Sequence, residues 1–178
     1  MKISWKHAFY VGGFLAILTG VLGLAIAGGD LITRDIIVNN KTKKEEAGVT
    51  YLFGQDVTYD PFVEIRDADY PTLTKYCTVN DGDAEVGRVY ASNGANAYGE
   101  VALLIAIYAD TFALGNVYTI TNTESYAATL EDGYLLPYQQ SDNKEAAVYE
   151  VSCGATYGAK LCRDMILSAQ AHYQGGAK

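Results

Sequence analysis

Gly99-Glu100-Val101-Ala102-Leu103-Leu104-Ile105-Ala106-Ile107-Tyr108 is apolar after Glu100 and bounded on both sides by turn-forming residues. It falls well short of the roughly 20 residues that a helix needs to cross a bilayer. A short apolar run between turn signals fits a buried central strand. Upstream, Val86 to Ala91 alternates, with Val86, Arg88 and Tyr90 on one face and Gly87, Val89 and Ala91 on the other. Ser92 to Tyr98, containing Asn93-Gly94, is expected to turn the chain into the central strand. Downstream, Asp110 to Gly115 closes a hairpin onto Asn116–Thr121, where Val117, Thr119 and Thr121 alternate with Tyr118 and Ile120. The expectation is an antiparallel sheet with one wet face.

The flanking sequence is more broken. Val49 to Phe53 and Phe62 to Ile65 are plausible strands, Asp60-Pro61 and Tyr70-Pro71 mark turns, and Asn80-Asp81-Gly82-Asp83 reads as a loop. Glu131-Asp132-Gly133, Pro137 and Ser141 to Lys144 suggest a long loop region before a last strand at Ala146–Val151. From Thr156 to Tyr173, Ala159, Cys162, Ile166, Ala169 and Tyr173 recur at three- and four-residue spacing, and Gly175-Gly176 ends the pattern. That is an amphipathic helix with one buried stripe. The fold class expected is α+β, with this helix and a smaller element covering one side of the sheet.

The N-terminal region obeys different physics. Ala8 to Gly29 is an uncharged run of 22 residues, enough for a membrane-spanning helix. Lys2 and Lys6 precede it, whereas Asp30, Arg34 and Asp35 follow, so positive charge is denser on the N-terminal flank. The amino end is therefore expected in the cytoplasm and the remainder outside. A cleaved secretory signal ending at Ala25-Ile26-Ala27 is the competing reading, but the run exceeds the roughly 7–15 apolar residues usual for one. Gly12, Ala16 and Gly20 give the helix a thin face that permits close approach of another membrane helix. Three segments are expected: 1–29 as cytoplasmic tip and anchor, 30–47 as linker, and 48–178 as the extracytoplasmic domain. Lys41, Lys43 and Lys44, followed at once by Glu45 and Glu46, fit a solvated linker.

Charge and cysteine usage exclude several function classes. Residues 30–178 carry 11 lysines and arginines against 21 aspartates and glutamates, the wrong balance for nucleic acid, whose phosphates demand clustered positive charge. Cys77, Cys153 and Cys162 contain no Cys-x-x-Cys pair, and the histidines, His7 and His172, lie at opposite ends of the chain. No structural zinc site is expected. Asn80-Asp81-Gly82-Asp83 lacks EF-hand spacing, and no His and Ser set completes a nucleophilic triad.

Chemistry concentrates in Val151-Ser152-Cys153-Gly154-Ala155-Thr156-Tyr157-Gly158-Ala159-Lys160. Backbone N–H groups at a helix start lack internal partners and the helix field is positive there, so an anionic group is favoured. Gly154 and Ala155 let a ligand approach the backbone, and Thr156 adds a hydroxyl. The residues alone equally suit an ordinary helix cap, for which Ser and Thr are common.

The order of elements over residues 86 to 174 narrows this. A strand, the Gly94-Ala95-Asn96-Ala97-Tyr98-Gly99 turn, a hydrophobic strand, a strand ending in Asn122-Thr123-Glu124-Ser125, a variable loop and Cys-Gly-Ala-Thr opening the last helix follow in sequence. This pattern resembles the FMN-binding domain family of the G subunit of the Rnf electron-transport complex and the C subunit of the sodium-pumping NADH:quinone reductase. A single membrane helix before an extracytoplasmic domain is similar too. Cys153, Glu150 and Gly158-Ala159 differ from the family's usual residues, and the usual Pro-Gly-x-Gly run is absent at Tyr126 to Thr129.

The resemblance implies a membrane-anchored flavoprotein subunit of an Rnf-type ion-translocating complex, relaying electrons rather than turning over a substrate alone. FMN would be esterified through its phosphate to Thr156 by a flavin transferase. Cys153, Gly154, Ala155, Glu124, Ser125, Tyr98 and Gly99 map onto positions expected near the flavin, and other membrane subunits would be partners. A cofactor-free structural or assembly subunit with the same fold is the alternative. Fifteen tyrosines stand beside five phenylalanines and one tryptophan. Tyr118, Tyr126, Tyr134, Tyr138 and Tyr149 fall in the candidate flavin half, where tyrosine also suits half-exposed strand faces and interfaces.

Overall fold

The computed structural model describes residues 5–139 and 150–175. The chain divides into two compact units between Lys43 and Lys44. The first unit holds most of helix α1 (Trp5–Phe53). Within it, Phe9–Gly29 has a mean hydropathy of 2.1 and none of it is buried, so this stretch is long and apolar enough to cross a bilayer. Gly12 and Ala16 share a shallow groove with Trp5 and Phe9.

Residues 30–47, expected as linker, continue the same helix. The segment contains no proline, and Thr33 and Thr42 turn their hydroxyls back onto the carbonyls of Gly29 (2.6 Å) and Val38 (3.1 Å). Val49 to Phe53, expected as a strand, forms the last turn of α1. A stretch of five residues is too short to separate strand from helix by period. The deciding residue is Gly54, which takes φ +95° and donates its N–H to the Thr50 carbonyl at 2.8 Å, the left-handed glycine stop of a helix end.

The second unit is built on one antiparallel sheet. Its strands are β1 (Thr58–Tyr59), β2 (Val63–Glu64), β3 (Leu73–Asp81), β4 (Ala84–Asn96), β5 (Gly99–Tyr108) and β6 (Leu114–Asn122). The order is β1-β3-β4-β5-β6, with β2 also paired to β3. The central apolar run is therefore β5, an interior strand pairing Val89 with Ala106 on one side and Val117 with Ile105 on the other. The expected alternation of β4 holds from Val89 to Ala91, where Tyr90 joins one core while Val89 and Ala91 join the other, whereas Val86, expected on the Tyr90 face, packs against the second core. Ser92 to Asn96, expected as turn, instead extends β4, and only Ala97 and Tyr98 make the reversal.

Both faces of the sheet are covered, where one wet face was expected. On one face, α4 (Thr156–Gln174) buries Ala159, Cys162, Met165, Ile166, Ala169 and Tyr173 against Tyr90, Leu103 and Ile105. The second face receives the end of α1, with Val49 and Leu52 clustered on Cys77, Val79, Val89, Leu104 and Ala106. Gly48 makes the approach possible, because a Cβ there would lie 2.4 Å from Leu104 Cδ1. Glu45 on the same stretch pairs with Lys75 Nζ at 2.7 Å.

The segment expected as a long loop is helical in its described part. It comprises α2 (Ala127–Leu130), a π-helical turn (Glu131–Leu135) and α3 (Leu136–Gln139). Leu130, Tyr134, Leu135 and Tyr138 are buried in the same core as α4, so this segment is the smaller covering element. Pro137 follows the π-helical turn directly, one residue after Leu136, whose N–H donates to the Glu131 carbonyl. Ser141 to Lys144 and residues 146–149 of the expected last strand lie outside the described residues; Glu150 and Val151 are not in a strand. All three cysteines are free thiols.

Candidate functional site

Helix α4 begins at Thr156 with Ala155 as its N-cap, at φ −92° and ψ 54°, and no side chain caps it. Thr156 therefore does not fill the ordinary capping role. Its hydroxyl donates to the Cys153 carbonyl at 3.2 Å and the residue is exposed. The first-turn N–H groups of an α-helix have no acceptor within the helix, and alanine supplies none here.

A cleft of about 200 Å³ opens at this point. Five residues singled out from sequence line it: Tyr98, Glu124, Gly154, Ala155 and Thr156. Tyr126 and Tyr157 complete the wall. Neither was singled out as a site residue, although each directly follows one that was, Ser125 and Thr156.

The other expected residues hold this arrangement from behind. Gly99 takes φ +152°, and a Cβ on it would lie 2.4 Å from the Thr123 carbonyl oxygen. Only glycine allows so close a backbone approach of the β4–β5 turn to residues 123–124. Ser125 fastens the same contact, donating both its N–H (2.9 Å) and its hydroxyl (3.1 Å) to the Tyr98 carbonyl. Asn96 Oδ1 accepts from the Tyr98 N–H at 2.7 Å. Cys153 flanks the cleft without lining it; its Cβ lies 3.0 Å from where a Gly133 Cβ would stand.

Glu124 gives the site its electrostatic character. It is 6% exposed, and its carboxylate accepts from Asn96 Nδ2. Oε1 sits 2.7 Å from where a Gly158 Cβ would be. The carboxylate thus lies against the first turn of α4, where the helix field favours negative charge. Gly158, one of the positions differing from the family pattern, is the residue whose missing side chain leaves room for it. Among the described residues, the cleft's lining carries no lysine or arginine.

These residues suit a phosphate ester better than an enclosed ligand. Pockets that bury a drug-sized molecule hold roughly 300–1,000 Å³, and this cleft is smaller. An uncapped helix start, a small-residue approach and an exposed hydroxyl fit a phosphate at Thr156. A covalent bond would retain a ligand that so shallow a cleft could not enclose.

A larger cavity, about 590 Å³, lies at the other end of α4 between residues 63–70, Tyr76 and His172. His172 Nδ1 is 3.2 Å from the Tyr90 hydroxyl, and Tyr70 meets its ring edge-on at 5.3 Å. Burial pushes the imidazole below its usual pKa, Asp67 opposes the shift and Arg88 adds to it. Among the described residues, no three His, Cys, Asp or Glu side chains gather around a point that could hold a metal ion. Of the other tyrosines considered, Tyr134 and Tyr138 are core, Tyr118 packs on the opposite sheet face, and Tyr149 lies outside the described residues. Comparison with known proteins gives no match, either to a protein-family model or to a curated protein.

Proposed function

We propose that the chain is a membrane-anchored flavoprotein subunit of an Rnf-type ion-translocating electron-transfer complex, carrying FMN in phosphoester linkage to Thr156. The observation that carries this reading is the convergence of Tyr98, Glu124, Gly154, Ala155 and Thr156 on one cleft at an uncapped helix start. The cofactor would supply one- and two-electron chemistry, and the protein orientation and water access. Thr156 would anchor the phosphate, with Gly154 and Ala155 giving it backbone access. Other membrane subunits would exchange electrons with it, and a flavin transferase would mature it outside the cytoplasm.

A cofactor-free structural subunit of such a complex is the second reading, and Glu124 favours it. Its buried carboxylate already places a negative charge at the start of α4, where a phosphate would otherwise be the natural anion. Co-expression of the full chain with its transferase decides between the two. The first reading expects a mass increase of one FMN less water on the peptide containing Thr156, abolished by Thr156→Ala. An unmodified peptide from protein that copurifies with membrane partners supports the second.

A further inference from the structure

Three exposed aromatic side chains meet at the cleft from three separate segments. Tyr98 comes from the β4–β5 turn, Tyr126 from the residue preceding α2, and Tyr157 from the first turn of α4. The Tyr98 ring centroid lies 5.4 Å from that of Tyr157 and 6.3 Å from that of Tyr126, at interplanar angles of 37° and 57°. Exposures of 42%, 57% and 64% for Tyr98, Tyr126 and Tyr157 leave much of each ring uncovered. Other tyrosines of this unit, such as Tyr90, Tyr134 and Tyr138, are buried in the core. A convergent exposed aromatic patch beside a polar cleft marks a contact surface rather than misplaced core.

We propose that Tyr98, Tyr126 and Tyr157 form the platform on which the isoalloxazine ring of a Thr156-linked flavin lies. The inference rests on the flavin reading given above. Tyr157 neighbours Thr156, so a group tethered there meets the patch at once. The rings are too close together to admit another ring between Tyr98 and Tyr157 as they stand, so the platform offers its outer face, or Tyr157 swings aside. Tyrosine suits the task because its apolar body stacks while its hydroxyl stays wet. The platform would hold the ring over the cleft mouth instead of leaving it loose on its tether.

Fluorescence separates this inference from the flavin reading beneath it. A tyrosine phenol in contact with an excited isoalloxazine quenches it by lending one electron and taking it back, with no net chemistry. The full-length flavinylated chain should therefore emit several-fold less per flavin than the same sample after complete proteolysis. Tyr98→Phe, Tyr126→Phe and Tyr157→Phe, combined in one variant, keep the aromatic rings but remove the good electron donors, and should lengthen the emission lifetime of the intact protein. A Thr156 adduct whose emission is unchanged by proteolysis overturns the platform and leaves the flavin reading standing. An adduct that is quenched in wild type and equally quenched in the triple Phe variant also overturns it, because a group outside the platform is then the quencher. Absence of any adduct on wild type overturns both. If the triple Phe variant is not flavinylated, the wild-type proteolysis comparison decides alone.

Discussion

Single side chains carry more of this protein's behaviour than their positions in the sequence suggest. His172 was noted in the sequence only as one of two distant histidines, yet it lies among Tyr70, Tyr76 and Tyr90 and bonds the Tyr90 hydroxyl. Burial, and secondarily Arg88, hold its imidazole below the usual pKa, against the opposing pull of Asp67. The unfolded chain therefore takes up this proton first as pH falls. The stability associated with neutral His172 is intact above about pH 6.5 and declines as pH drops from there through the lower folded value. Thermal melts of the full chain in detergent should show a smaller loss between about pH 7.5 and about pH 5.5 in His172→Gln than in wild type. An identical loss in both would remove His172 as the cause. The residues around Thr156 teach a related lesson. The hydroxyl, the small residues and Glu124 were legible because each has a chemical identity that a motif can name. Tyr126 and Tyr157 were not, because tyrosine is common here and only the tertiary fold reveals which of them meet.

Elements that looked like ordinary punctuation turn out to be packed. β5 and α4 were readable because their apolar patterns are long and unbroken, so burial and periodicity agree. The second sheet face was misread because its cover comes from the far end of a helix whose beginning is long and apolar enough to be read as a membrane span by itself. Val49 and Leu52 look like a strand when the preceding lysines are taken as linker. Gly48 tests the packed arrangement. In an exposed helix interior Gly→Ala stabilises by roughly 0.8–1 kcal/mol. At Gly48 the new methyl would meet Leu104 Cδ1 at 2.4 Å and Tyr118 Cδ1 at 2.8 Å, an overpacking that costs about 1–3 kcal/mol. The clash outweighs the propensity gain, so Gly48→Ala should destabilise the full chain by about 1 kcal/mol in urea unfolding. A stabilised variant would mean that α1 does not press on the sheet here. The Glu131–Gln139 segment was hidden for a different reason. Glu-Asp-Gly and proline are turn formers on average, but Leu130, Tyr134, Leu135 and Tyr138 bury enough apolar surface to override that preference.

At the scale of the molecule, an acidic sheet domain is joined in one chain to a helix that is long and apolar enough to cross a membrane. Phe9–Gly29 exposes Phe9, Phe14, Ile17, Leu24 and Ile26 with nothing of the protein covering them, whereas the chain beyond it is strongly acidic. The expected orientation, with Lys2 and Lys6 inside, puts the cleft on the outer side of the membrane. The three free cysteines supply the means to test it. Cys77 and Cys162 are fully buried, and burial pushes both thiols up to about 12, so little reactive thiolate forms at neutral pH. Cys153, half-buried beside the cleft, is the thiol left to react. A membrane-impermeant maleimide added to intact cells should label the chain once, at Cys153. Cys153→Ser should abolish the labelling, and the wild-type chain should stay with the membrane through an alkaline carbonate wash. Labelling only after lysis would place the cleft inside and reverse the orientation. Release by carbonate would show that the apolar helix does not anchor the chain, and would remove the membrane-bound role proposed for it.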